Sequence, residues 1–373
     1  MLSKNLEGKP MHYRQTRAEI SPAAIAHNAK WVRKTMAGGK LLGVVKADGY
    51  GNGVEPAVKA LEPHVDGMAA GFMEEALAVR ECGYKGPLVI LEGCFSSSEL
   101  RVCAENNLSP VVHCEQQLLD IEAGALSKPL WVWLKVDTGM HRLGWSEEQA
   151  LQALQRLNAS NNVAGVTLMS HLANADANHR LNAEQKQQFC QLSEALNGYQ
   201  ARSFHNSAGL LNPDTKWSLQ ENDWARAGLL LYGVNPSNVT EVQSALKPSM
   251  RLVAPVIALH QLEKGESVGY GSAWSAERPT VIATVAMGYA DGYPRQAKNG
   301  TPAMIRGKRV TLAGRVSMDM LTIDVTGIEG VQLGDDVELW GPNVDVRQVA
   351  ACADTISWHL LTGVSGRVPR VVV

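Results

Sequence analysis

From Leu41 onward, short apolar runs alternate with longer stretches in which apolar residues recur every three to four positions. Eight runs stand out, at Leu42–Val45, Met68–Gly71, Leu88–Leu91, Val111–His113, Trp131–Val136, Gly165–Ser170, Ser203–Asn206 and Trp224–Arg226. Between them, segments such as Glu74–Glu81 and Ala183–Leu196 carry helical periodicity. A strand covered on both faces reads as a continuous apolar run, so eight such strand-helix units predict an α/β chain, a (β/α)8 barrel of TIM type. Ahead of it, Thr16–Ile20 reads as a short strand. Ser21-Pro22 then opens a helix to about Met36, with proline at the first helical position. Residues 1–13 read as a frayed polar lead-in.

After about Pro236 the texture changes. Val253–Leu259, Thr280–Met287, Ala303–Arg306, Val310–Ala313 and Met320–Val325 are β-like runs separated by turns that carry Gly or Pro, and Val346–Asp354 reads as a late helix. The expected division is a barrel over 1–240 and a smaller β-rich domain over 241–373, with residues 1–20 able to pair with the latter. A chain of 373 residues has room for both.

With 45% hydrophobic residues, 19% charged residues and a formal net charge of −2, the composition argues against disorder and against nucleic-acid or membrane-surface binding. A small soluble substrate is the default. No apolar run reaches the length of a membrane span, and Met1–Pro10 lacks the apolar core of a signal peptide, so a cytoplasmic location is expected. Six cysteines show neither a C-x-x-C pair nor metal-like spacing with histidine, which predicts reduced thiols, no disulfide and no metal site.

Barrel enzymes keep their chemistry at the C-terminal ends of their strands, and several reactive residues fall there. Lys46 ends the first run, ahead of Ala47-Asp48-Gly49-Tyr50-Gly51-Asn52-Gly53, whose glycines allow close backbone approach to a ligand. Arg142 follows the fifth run, His171 the sixth, and Asn206 and Ser207 the seventh, while Arg226 ends the eighth. The arginine at 142 suits two-point recognition of a carboxylate. Ser207 is either an ordinary helix cap or, with free backbone N–H groups of a short helix opening at Asn206-Ser207-Ala208-Gly209, a phosphate seat. Taken alone, Lys46 is as readily a solvated lysine, His171 a core histidine, and Tyr270 and Tyr289 core residues with bonded hydroxyls.

Several motifs in order resemble those of bacterial alanine racemases, from about Arg17 to Val371. They are Val45-Lys46-Ala47-Asp48-Gly49-Tyr50-Gly51, Lys135-Val136-Asp137-Thr138-Gly139-Met140-His141-Arg142-Leu143-Gly144, Ala225-Arg226-Ala227-Gly228-Leu229, Val268-Gly269-Tyr270-Gly271 and Val316-Ser317-Met318-Asp319. The resemblance implies an isomerase that interconverts L- and D-alanine on pyridoxal 5'-phosphate, supplying D-alanine for peptidoglycan or degrading it. It implies that Lys46 carries the cofactor as a Schiff base and that Lys46 and Tyr270 are the two catalytic bases. By the same resemblance Tyr50, His171, Asn206, Ser207, Arg226, Gly228 and Leu229 hold the cofactor, and Arg142, Tyr289, Met318 and Asp319 the substrate. Lys135 is implied as a carbamylation site that orients Arg142, and the assembly as a head-to-tail homodimer with shared sites.

An arginine cannot accept a hydrogen bond from a protonated ring nitrogen, so Arg226 at that position keeps the pyridine nitrogen unprotonated and the ring a weaker electron sink, suited to proton return rather than transamination. The usual motifs have Ala where this chain has Gly49 and His where it has Asn52, and Gly366 replaces a tyrosine that contacts phosphate in some members. Two alternatives stand beside this reading: a broader racemase accepting serine or lysine, and a cofactor-carrying protein without turnover. A decarboxylase is disfavoured because Arg142 would hold the carboxylate it must expel.

Overall fold

The computed structural model describes residues 14–36, 38–237 and 240–373. The polar lead-in expected at residues 1–13 lies outside them. The chain forms two compact units, Pro22–Lys247 and, separately, the stretch up to Ser21 together with Pro248–Val373.

The first unit is a closed parallel barrel of eight strands. They are β2 (Lys40–Val44), β3 (Gly67–Ala70), β4 (Leu88–Ile90), β5 (Leu108–Val112), β6 (Leu130–Lys135), β7 (Val163–Met169), β8 (Ala201–Ser203) and β9 (Trp224–Ala227), with β9 returning to pair with β2. Leu41, Leu42, Met68, Leu88, Val111, Trp133, Leu134, Val166 and Leu168 are buried, as side chains on strands packed on both faces must be. Helices alternate with the strands, among them Pro22–Met36, Met73–Glu81, Glu147–Ala159 and Leu181–Ala195. Glu147–Ala159 starts with a capping box in which Ser146 and Gln149 satisfy each other's backbone N–H groups.

Two barrel boundaries differ from the sequence pattern by three residues, the others by two or fewer. β5 begins at Leu108, three residues before the expected run, because Pro110 inside it disguises a strand. The seventh run was expected at Ser203–Asn206, but β8 ends at Ser203. Phe204 and His205 leave the barrel wall and join a ring cluster with Phe189 and Trp217, at centroid distances of 4.4 to 6.2 Å.

The second unit is built on an eight-stranded sheet. β1 (Arg17–Ile20) pairs antiparallel with the long β10 (Met250–Leu262) and parallel with β18 (Arg370–Val372). The sheet continues through β13 (Thr280–Val285), β14 (Pro302–Ile305), β15 (Lys308–Leu312), β16 (Leu321–Asp324) and β17 (Asp336–Trp340), while β11 (Ser267–Val268) and β12 (Trp274–Ser275) form a separate small hairpin. The late helix ends at Cys352, and a second, Ser357–Gly363, follows it. β17 escapes the sequence pattern because Glu338 sits in its middle. That carboxylate is buried and accepts from Arg251 Nε and from the backbone N–H groups of Asn343 and Val344. No helix among the described residues is long and apolar enough to cross a membrane.

Candidate active site

Lys46 leaves the C-terminal end of β2, and four residues in the left-handed region follow it: Ala47, Asp48, Gly49 and Tyr50, with φ between 51° and 60°. Gly49 fits this turn on two counts, its φ and the Ala57 Cβ that a side chain there would meet at 2.9 Å. The turn directs Tyr50 inward, where its ring stacks on Tyr232 at 4.8 Å. A Cβ on Gly228 would lie 2.2 Å from the Tyr50 hydroxyl, so Gly228 cannot carry a side chain. The Gly228 N–H donates to Ser207 Oγ at 2.9 Å. Leu229 begins a 3-10 turn, where an amide has no intrahelical acceptor. Two hydroxyls and two amides therefore gather around one point. Burial pushes the Tyr50 hydroxyl well above its ordinary pKa, so it remains a donor, as an anion requires.

Ser207 lies in a hydrogen-bonded turn rather than at the head of the expected short helix. Leu210 N donates to Asn206 O, but Leu211 and Asn212 both turn back to Ala208 O, and Pro213 stops propagation. Asn206 supports this turn by accepting from Gly209 N at 2.8 Å, and its amide lies 3.5 Å from His171 Nε2.

Arg226, at the end of β9, is buried and strongly tethered. Nη1 donates to Ser203 Oγ at 2.6 Å, and Nη2 to the Ser170 carbonyl at 2.7 Å and the Phe204 carbonyl at 3.3 Å. Nη2 also lies 3.3 Å from His171 Nδ1. A guanidinium only donates, so His171 Nδ1 is the acceptor, and the neutral imidazole carries its hydrogen on Nε2. No described residue takes the Arg226 Nε hydrogen. Burial lowers the Arg226 pKa to about 10, which leaves it cationic at neutral pH. His171 is held well below its ordinary value, by burial first and then by the nearby cations Arg226, Lys135, Arg142 and Lys46.

The loop after β6 is organised by Asp137, whose Oδ1 accepts from the backbone N–H groups of Gly139, Met140 and His141 at 2.9 to 3.1 Å. It presents Arg142 exposed and without a partner among the described residues. Lys135, the last residue of β6, is 5% exposed, and burial together with Arg226 and Arg142 lowers its pKa to about 8. Gln185 joins this loop to the next by donating to Thr138 Oγ1 and the His171 carbonyl while accepting from Ala173 N. Sequence reasoning missed Gln185, as it missed Ser170 and Ser203. All three act through contacts made only after folding, and no local spacing announces them.

The second unit brings the other predicted residues together. Tyr289 N and Ala290 N donate to the carbonyls of Ser317 and Met318, and a Cβ on Gly288 would meet Met318 O at 2.2 Å, which locks the two loops face to face. Asp319 pairs with Arg367 at 2.7 Å, and the fully buried Asp291 binds Arg14 at 2.6 Å and the Gly288 N–H. The hairpin that carries Tyr270 lies against Gly314 and Arg315, just before Val316. Tyr270 is 67% exposed, Met318 53% and Tyr289 40%. Gly366 has open space around it, so this structure offers no side chain in place of the tyrosine that some proteins with this motif carry.

Family models describe two parts of the chain: the N-terminal domain of alanine racemase matches residues 20–236, and its C-terminal domain residues 249–372. An alanine racemase from Pseudomonas taetrolens is 46% identical over 360 residues, which are 96% of this chain and 98% of that one. A catabolic alanine racemase from Pseudomonas putida matches to the same extent. The crystal structure of a biosynthetic alanine racemase from Pseudomonas aeruginosa superposes with a TM-score of 0.91 at 40% identity, covering 96% of this chain and 99% of that chain.

Proposed function

Because the chain belongs to the alanine racemase family, isomerases that depend on pyridoxal 5'-phosphate, we propose that Lys46 and Tyr270 are the two bases that exchange the α-hydrogen of alanine on opposite faces. The observation that carries this reading is the mouth of the barrel, where Lys46, the seat formed by Tyr50, Ser207 and Gly228, and the unpaired Arg142 all follow strand ends.

The seat fits the cofactor's phosphate: its donors are hydroxyls and amides, and the bare Gly228 lets the Tyr50 hydroxyl come close beside Ser207. Leu229 adds an amide. Arg226 fits the pyridine nitrogen with Nε–H, its other nitrogens being engaged by Ser203, Ser170 and Phe204, while Asn206 steadies the seat. When bound, pyridoxal 5'-phosphate supplies an aldehyde that joins covalently to an amine and a conjugated ring that draws electron density from the substrate's α-carbon. Lys46 Nζ is the amine that anchors it and takes or returns the proton on the D face. Tyr270 does the same on the L face. In this reading the chain from Arg226 through His171 presents Nε2–H toward the catalytic tyrosine.

Arg142 grips the substrate carboxylate, and Met318, Asp319 and Tyr289 line its approach. Lys135 is carbamylated in this reading: its depressed pKa provides a neutral amine to react with CO2, and the resulting anion relieves the repulsion between Lys135 and Arg142. The exposed Tyr270, Tyr289 and Met318 favour a head-to-tail homodimer in which each site takes Lys46 from one chain and Tyr270 from the other. The reaction belongs in the cytoplasm, where the six free thiols stay reduced, and it serves D-alanine supply or breakdown. Racemisation of L-alanine followed by polarimetry, with and without added cofactor, tests the reading. Turnover of serine or lysine at comparable kcat/KM would replace it with the broader racemase.

A further inference from the structure

The turn after Lys46 holds three non-glycine residues, Ala47, Asp48 and Tyr50, in the left-handed region, where L-residues are strained unless their surroundings fix them. Its two ends are held by different side chains. At the Tyr50 end, buried Asn52 donates from Nδ2 to the carbonyls of Gly49 and Tyr50. At the Lys46 end stands Glu75, in the first turn of the helix Met73–Glu81. Its Oε1 accepts from Ala47 N and its Oε2 from Gly71 N, both at 2.7 Å. A Cβ on Gly71 would come within 3.0 Å of Glu75 Oε2 and 3.7 Å of Lys46 Cβ and Cδ. The bare Gly71 therefore lets the carboxylate reach the strand end beside the aliphatic stem of Lys46.

We propose that Glu75 is a positioning residue for Lys46: by clamping the N–H groups on either side of the lysine stem, it fixes the direction in which Lys46 leaves the barrel mouth. The proposal rests on the reading that Lys46 is the amine that joins the cofactor. The chemistry calls for a carboxylate. Both oxygens must accept, and a glutamine would turn its NH2 group against one of the two N–H donors.

The test compares apoprotein affinities for pyridoxal 5'-phosphate and for pyridoxamine 5'-phosphate, which has the same phosphate and ring but no aldehyde to join to a lysine. Glu75→Gln should weaken binding of pyridoxal 5'-phosphate by about tenfold or more while leaving pyridoxamine 5'-phosphate within about twofold. With saturating cofactor it should lower kcat and leave KM for alanine unchanged. Asn52→Ala, acting at the Tyr50 end, should weaken both compounds alike. Retained pyridoxamine 5'-phosphate binding also verifies that the Glu75→Gln protein is folded. Equal losses for the two compounds in Glu75→Gln, or no loss for either, would overturn the proposal. Lys46→Ala separates the premise: if it binds pyridoxal 5'-phosphate as tightly as wild type, Lys46 is not the anchor and the proposal falls with it. A loss there together with unselective behaviour of Glu75→Gln removes the role of Glu75 alone.

Discussion

In the barrel unit Arg226 is tethered by four acceptors and Tyr50 by a fixed turn and a stacked ring, whereas in the C-terminal unit Tyr270, Tyr289 and Met318 stand exposed. The backbone beneath the second group is nevertheless well fixed, through Gly288 against Met318 and through Asp291. Rigid loops with exposed aromatic tips are costly for a surface that stays wet, and they suit one that meets another protein surface. The contrast fits the proposed division of duties, in which the barrel would hold the cofactor and the second unit would offer residues to a site completed by another chain.

Removing the barrel's anchor tests the first duty with the largest effect. Lys46→Ala should lose the visible absorbance of the covalently attached cofactor and lower racemisation by several orders of magnitude, since anchor and base vanish together. Retained absorbance of the attached form in the purified variant would move the anchor elsewhere.

Tyr270→Phe tests the second duty and should stop racemisation in both directions. Slow exchange of the α-hydrogen of D-alanine in heavy water should survive through Lys46, while exchange from L-alanine should be lost. Equal residual exchange from both enantiomers would refute the facial assignment.

The comparison sharpens when the two inactive variants are denatured, mixed in equal amounts and refolded. If each site draws Lys46 and Tyr270 from different chains, a mixed dimer has one doubly defective and one intact site. Random pairing makes about half the dimers mixed, so activity should return to roughly a quarter of wild type. No recovery, in a mixture shown by mass to contain mixed dimers, would place both residues on one chain.

What could be read from the sequence follows the same divide. Barrel strands such as β2 and β3 are apolar because both faces are covered, so their periodicity showed, and Lys46, Arg142, His171 and Arg226 could be placed at strand ends by counting. β8 is shorter than expected because Phe204 and His205 are buried for a different reason, the ring cluster with Phe189 and Trp217. β17 was hidden by Glu338, whose partners come from Arg251 and the Asn343 loop, far from any local pattern. The motifs pointed to Tyr50, Ser207 and Gly228, but not to the reason Gly228 is bare. That reason, the Tyr50 hydroxyl, lies 178 positions away in sequence. Glu75 was passed over as one of several acidic residues on a helical face, since its bonds go to backbone N–H groups at two other strand ends.

A smaller effect is expected where the barrel meets the substrate. Arg142→Lys keeps the charge but loses the two-point grip, so kcat/KM for alanine should fall by roughly 1 to 3 kcal/mol in transition-state terms. Wild-type kinetics in that variant would remove Arg142 from the site.

The smallest effect concerns Lys135, and its sign follows from the pKa held down to about 8. Enzyme stripped of dissolved CO2 should show a KM for alanine a few times higher, restored by added bicarbonate, because the proposed carbamate that would steady Arg142 is lost and re-formed. Only the neutral amine reacts with CO2. At pH 7 about a tenth of Lys135 would be neutral, against roughly four in ten thousand for an ordinary lysine of pKa about 10.4. At fixed dissolved CO2, the rate of recovery should therefore climb as pH rises from 7 and level off above about pH 8, where the amine is already mostly neutral. An unshifted lysine would keep accelerating beyond pH 10. Lys135→Ala should show neither the rise in KM on stripping nor the recovery. A wild-type KM indifferent to CO2 across this range would leave Lys135 as an unmodified buried amine, and Arg142 would then owe its orientation to the Asp137 loop alone.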